Sequence, residues 1–96
     1  MAKKATRSRG KFVVLIRTAD GSTIDGASLR ERTLDGGVGG VKDRYAAARL
    51  LAWWLTDNGH ADRKTAATIA YRAEVGGAQA ELVVDGRTLQ FTITEQ

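Results

Sequence analysis

Apolar residues fall into blocks along this chain, and their spacing changes from contiguous to helical to alternating. Phe12-Val13-Val14-Leu15-Ile16 is unbroken, aromatic and β-branched, as expected of a central strand covered on both faces. Asp20-Gly21 marks a tight turn, because glycine tolerates the positive φ that hairpin turns require. A weaker partner strand follows over 23–32, with Ala27 and Leu29 on the face of Phe12, Val14 and Ile16 and with Gly26 as a bulge. Asp35-Gly36-Gly37-Val38-Gly39-Gly40 then reads as a glycine-rich connector.

The segment 41–57 predicts a helix. Its Ala-Ala-Ala-Arg-Leu-Leu-Ala centre has high helix propensity, and Asn58-Gly59 supplies a stop. Val41, Tyr45, Ala48, Leu51, Ala52 and Leu55 form one stripe at about 100° per residue, and this is the side expected to face a sheet. A second apolar set, Ala46, Leu50, Trp53 and Trp54, lies largely opposite. A helix apolar on two sides is either sandwiched or meets a partner.

Residues 63–75 carry two patterns. Ala66, Ile69, Ala70 and Ala73 have helical spacing, while Thr65, Ala67, Ile69, Tyr71, Ala73 and Val75 alternate. Register favours a strand. Two-residue turns at Gly76-Gly77 and Asp85-Gly86 would put Ile69, Tyr71, Leu82, Val84, Leu89, Phe91 and Ile93 on one face of a meander. The second turn pairs Val84 with Arg87, Leu82 with Leu89 and Ala80 with Phe91. The expected fold class is therefore α+β in the order β-β-α-β-β-β. It is a single, mostly antiparallel sheet with one helix on one face, over 11–96, after a disordered basic tail over 1–10.

Composition narrows the chemistry. The chain has 96 residues and no Cys, which excludes a disulfide scaffold, cysteine-ligated metal and thiol catalysis, and fits a cytoplasmic location. No apolar run is long enough to span a bilayer, and Met1-Ala-Lys-Lys lacks the apolar segment of a secretory signal. The net charge of +4 is local. Lys3, Lys4, Arg7, Arg9 and Lys11 supply five of fifteen Lys and Arg, and the other ten are outnumbered by eleven Asp and Glu.

Candidate active-site chemistry is sparse. The glycines before Lys42 resemble a phosphate-cradling loop but lack the Gly-Lys-Ser/Thr that would complete one. His60 stands alone and reads as a turn residue, and the aspartates fall mainly at turns. No enzyme activity, cofactor, metal site or small-molecule substrate is expected. The leading expectation is a small protein-interaction module, of the regulator or inhibitor type that phages and other mobile elements encode. It would self-associate as a homodimer or dock a protein partner through Ala46, Arg49, Leu50, Trp53 and Trp54. The alternative is a nucleic-acid accessory protein that grips phosphates with Lys3, Lys4, Arg7, Arg9 and Lys11, assisted by Arg17, Arg72 or Arg87 on an outer sheet face.

Overall fold

The computed structural model describes residues 11–19, 23–24, 27–28, 32–34, 40–76 and 80–95. In chain order these form strands β1 (Phe12–Thr18), β2 (Thr23–Ile24), β3 (Ala27–Ser28) and β4 (Arg32–Thr33). Two helices follow, α1 (Arg44–Asp57) and α2 (Arg63–Val75), and then strands β5 (Glu81–Val84) and β6 (Arg87–Glu95). The class is α+β: one antiparallel four-stranded sheet in the order β4-β1-β6-β5, with two helices and a separate β2–β3 ribbon.

β1 is a central strand, as its unbroken apolar run predicts. It pairs along its full length with β6, from Phe12↔Glu95 to Thr18↔Leu89. Its other edge meets the short β4, at Leu15↔Thr33 and Ile16↔Arg32. The long partner strand expected over 23–32 is thus replaced by the ribbon and β4. The turn at Asp20-Gly21, the bulge at Gly26 and the position of Leu29 lie outside the described residues. A second tie comes from Val41, whose N–H donates to the Phe12 carbonyl (2.7 Å) while the Phe12 N–H donates to the Val41 carbonyl (3.0 Å). Gly40 is required there, because a Cβ on it would collide with the Phe12 backbone. Val41 therefore serves the sheet, and α1 begins three residues later than its apolar pattern predicts.

The β5–β6 hairpin forms in the predicted register, with Val84↔Arg87 and Leu82↔Leu89. Asp85 (φ 53) and Gly86 (φ 79) both adopt the positive φ of a type I′ turn. The Phe91 N–H donates to the Ala80 carbonyl (2.9 Å), extending the expected pairing. Val84, Leu89, Phe91 and Ile93 are buried on the helix-facing side, while Glu81 and Thr92 are exposed on the other. Arg87 shares the inner face and is half-buried, so of the three arginines expected on the outer sheet face only Arg17 lies there.

The larger correction is α2. Residues 63–75 are helical, not a strand, and the sheet gains its helix-facing cover from two helices instead of one. Local chemistry explains the outcome. Asp62 caps the first turn by accepting from the Thr65 N–H (2.7 Å), and Gly76, at φ 82, closes the last turn in the left-handed conformation. Between these stops Ala66, Ile69, Ala70 and Ala73 are all buried, the i, i+3, i+4, i+7 set of one helix face. Gly76 is a helix stop here and Val75 the last residue of α2; Gly77 and Ala78 of the expected hairpin lie outside the described residues.

α1 ends in a Schellman arrangement. The His60 N–H donates to the Leu55 carbonyl (2.9 Å) and the Gly59 N–H to the Thr56 carbonyl (3.1 Å). The turn over 58–62 then returns the chain antiparallel along α1. Asp43 caps the start of α1 by accepting from the Ala46 N–H (2.7 Å). The buried arc of α1 is Ala47, Ala48, Leu51 and Leu55. Tyr45, expected to face the sheet, is exposed, and Ala52 is half-buried. The reason is α2, which covers the flank of α1 and rotates its core-facing arc toward Ala47.

Arg44, the first residue of α1, binds three elements together. Its Nε donates to the Glu74 carbonyl (2.7 Å), Nη2 to the Ala73 carbonyl (2.9 Å) and Nη1 to the Ile93 carbonyl (3.0 Å). Two of these acceptors lie in the last turn of α2, where carbonyls lack helical partners and the macrodipole favours a cation. Arg44→Ala should cost about 3 kcal/mol in urea denaturation, because it removes three hydrogen bonds from a charged donor to part-buried carbonyls. Arg44→Lys should recover less than half, since a single ammonium cannot reproduce the planar fork.

A second expectation concerns acid. The hydrogen bond from the Thr65 backbone, together with that from its side chain, holds the Asp62 carboxyl below the ordinary aspartate value. With the folded-state pKa depressed, the cap contributes fully above the ordinary aspartate value. That contribution disappears as pH falls through the lowered one. Relative to Asp62→Asn, which caps without titrating, the wild type should lose stability only in that acid window, as read by circular dichroism.

Candidate functional site

The outer face of the two-helix layer is built by residues spaced a helical turn apart. On α1, Tyr45, Arg49 and Trp53 recur every four positions and form one solvent-facing ridge. On α2, Tyr71 and Val75 do the same. Tyr45 is 59% exposed, Trp53 59%, Tyr71 64% and Val75 60%, which makes them four of the five exposed large hydrophobics among the described residues. The fifth, Val83, is on β5.

Between the ridges runs a groove of about 250 Å³. Ala48, Ala52 and Ala70 line its floor with Ala67 at the rim, and Tyr45, Arg49, Tyr71 and Glu74 form its walls. Alanines let the helices approach closely, so the tyrosines stand above a shallow apolar trough. The Arg49 guanidinium lies 5.9 Å from the centre of the Tyr45 ring, a cation–π distance. The groove is smaller than the usual small-molecule pocket of about 300–1,000 Å³ and is open to solvent, a form suited to side chains of another polypeptide.

The two tryptophans have different roles. Trp53 points outward, whereas Trp54 is half-buried against Phe91 (ring centroids 6.2 Å, edge-on) and His60 (5.0 Å). His60 is therefore partly buried in the fold and not simply a turn residue on the surface. Of the five residues assigned to partner binding, Arg49 and Trp53 share the exposed ridge. Ala46 and Leu50 are half-buried beside it, and Trp54 turns back toward the sheet. The tail residues Lys3, Lys4, Arg7 and Arg9 lie outside the described residues, and Lys11 sits 3.7 Å from the Glu95 carboxylate.

Tyr45, Tyr71, Glu74 and Val75 belong to this face but escaped the sequence reading. The available signal was the pair of stops around 63–75. With Asp62 as a cap and Gly76 as an end, Ala67, Tyr71 and Val75 fall on one exposed helix stripe. Among the described residues no three His, Asp or Glu side chains are grouped to hold a metal ion, and no helix is long and apolar enough to cross a membrane.

Comparisons with protein-family models, curated proteins and solved structures found no match for this chain. Its structural class is a two-layer α+β fold with an aromatic outer helical face.

The contrast between the tryptophans is measurable. Trp53→Ala should leave unfolding free energy within about 0.5 kcal/mol of wild type. Trp54→Ala should cost about 2–3 kcal/mol, because it opens a gap over Phe91.

Proposed function

We propose that this protein is a non-enzymatic protein-interaction module that docks a protein partner through the outer face of its α1–α2 layer. The observation that carries this reading is the concentration of exposed large apolar side chains there. Tyr45, Trp53, Tyr71 and Val75 are each more than half exposed on the same two helices. Water-exposed aromatic area of this kind is energetically unfavourable and is recovered when a partner covers it. Trp, Tyr and Arg are also the residues that most often anchor interfaces, and Arg49 stands between Tyr45 and Trp53 on one ridge. Partner contact needs no change in the fold, since neither Trp53 nor Tyr71 belongs to the core.

A photo-crosslinking amino acid at Trp53 or Tyr71, in cells of the source organism, tests the reading. Covalent protein adducts are expected from both positions and not from Asp85, at the tip of the β5–β6 turn. Absence of any protein adduct from Trp53 and Tyr71, or equal adducts from Asp85, would contradict it.

A further inference from the structure

We infer that the partner on this face is a second copy of the chain, packed groove over groove about a two-fold axis parallel to the two helices. The inference rests on the docking reading above and names its occupant.

The argument is one of charge placement. The α1 wall of the groove carries Arg49 and the α2 wall carries Glu74, and neither side chain has an ion-pair partner among the described residues. A face that interacts with itself about a two-fold must be self-complementary, each residue meeting a different residue of the copy. Two orientations place one helical layer on the other. With the axis across the helices, α1 lies on α1 of the second copy. Arg49 then faces the groove-lining Tyr45 and Arg49 of the same helix, a like charge, while the acid of that ridge, Asp57, stands in the last turn of α1, outside the groove lining. With the axis along the groove, α1 lies on α2 of the second copy, and Arg49 faces the wall that carries Glu74.

Axial spacing permits the second arrangement. The bond from Arg44 to the Glu74 carbonyl keeps Glu74 within an arginine's reach of the start of α1, on the groove wall across from Tyr45 and Arg49. Arg49 lies five residues further on, about 7.5 Å along the axis at 1.5 Å per residue. An extended Arg and Glu span that offset, and the symmetry makes the pair twice. The Arg49 guanidinium keeps its face on Tyr45 while its edge donates to the carboxylate. Tyr45 and Tyr71 of each copy close over the alanine floor of the other, with their hydroxyls at the wet rim.

Sedimentation equilibrium of the full chain over a wide concentration range, with charge reversals, tests this. Wild type is expected to dimerise, and Arg49→Glu and Glu74→Arg are each expected to weaken the dimer at least about tenfold. The two single variants mixed together should pair with each other, and the double variant should return to near wild-type affinity. Arg49 is exposed and Glu74 half-buried on the groove wall, neither in the core, so circular dichroism should show all variants folded. A monomeric wild type, a dimer indifferent to both reversals (as in pairing through the β5 edge at Val83), or failure of the mixture and double variant to recover would overturn the inference. These results leave the docking reading standing if Trp53 still crosslinks to a protein of different mass. Loss of all crosslinks at that face would remove both.

Discussion

One guanidinium holds three elements of this fold in place. Arg44 begins α1, yet its side chain reaches the last turn of α2 and the carbonyl of Ile93 in β6. A cation at the start of its own helix works against the α1 dipole, and the same charge works with the dipole of α2. The second effect prevails because the guanidinium lies against the α2 carbonyls, while Asp43 supplies the cap that the α1 N-terminus needs. The contact fixes the antiparallel alignment of the helices and seats that end of the pair on the sheet. Gly76 fits this scheme: its positive φ ends α2 beside Arg44, and a Cβ there would lie 4.0 Å from Nη2.

The outer groove follows from that alignment. Alanines at 48, 52, 67 and 70 allow two short helices to lie close, and Leu51, Leu55 and Ile69 fill the space beneath them. Close helices with small residues between them leave a trough wherever larger side chains flank it, and here Tyr45 and Tyr71 do. Among the described residues no third layer covers that trough. The apolar surplus on the helices is therefore a consequence of architecture as well as composition. Arg49 and Glu74 on opposite walls give the surface a polarity that a purely apolar strip would lack.

Much of the sheet was legible in the sequence. The β-branched run 12–16 predicts a central strand, and the Asp85-Gly86 turn predicts the β5–β6 register residue by residue. Both succeed because the determining interactions are local or strictly periodic: a one-residue slip would turn Leu82, Val84, Leu89 and Phe91 out to water. The existence of α1 and its stop at Asn58-Gly59 were legible for the same reason. The site was half legible. Arg49 and Trp53 stand on the exposed ridge, but their companions Tyr45, Tyr71 and Val75 could not be placed without the second helix.

Within this sequence, then, local chemistry determines where strands and helices stop and which residues of the β5–β6 hairpin share a face. For 63–75 the local stops at Asp62 and Gly76 permit a helix and tertiary packing decides for it, because alanine-rich segments satisfy helical and alternating patterns about equally. What selects the helix is the burial of Ala66, Ile69, Ala70 and Ala73 together with the Arg44 clasp on carbonyls twenty-nine and thirty positions away. That same packing decides which tryptophan is structural. Trp53 and Trp54 are adjacent and chemically identical in the chain, and a rotation of about 100° puts one over Phe91 and the other in water.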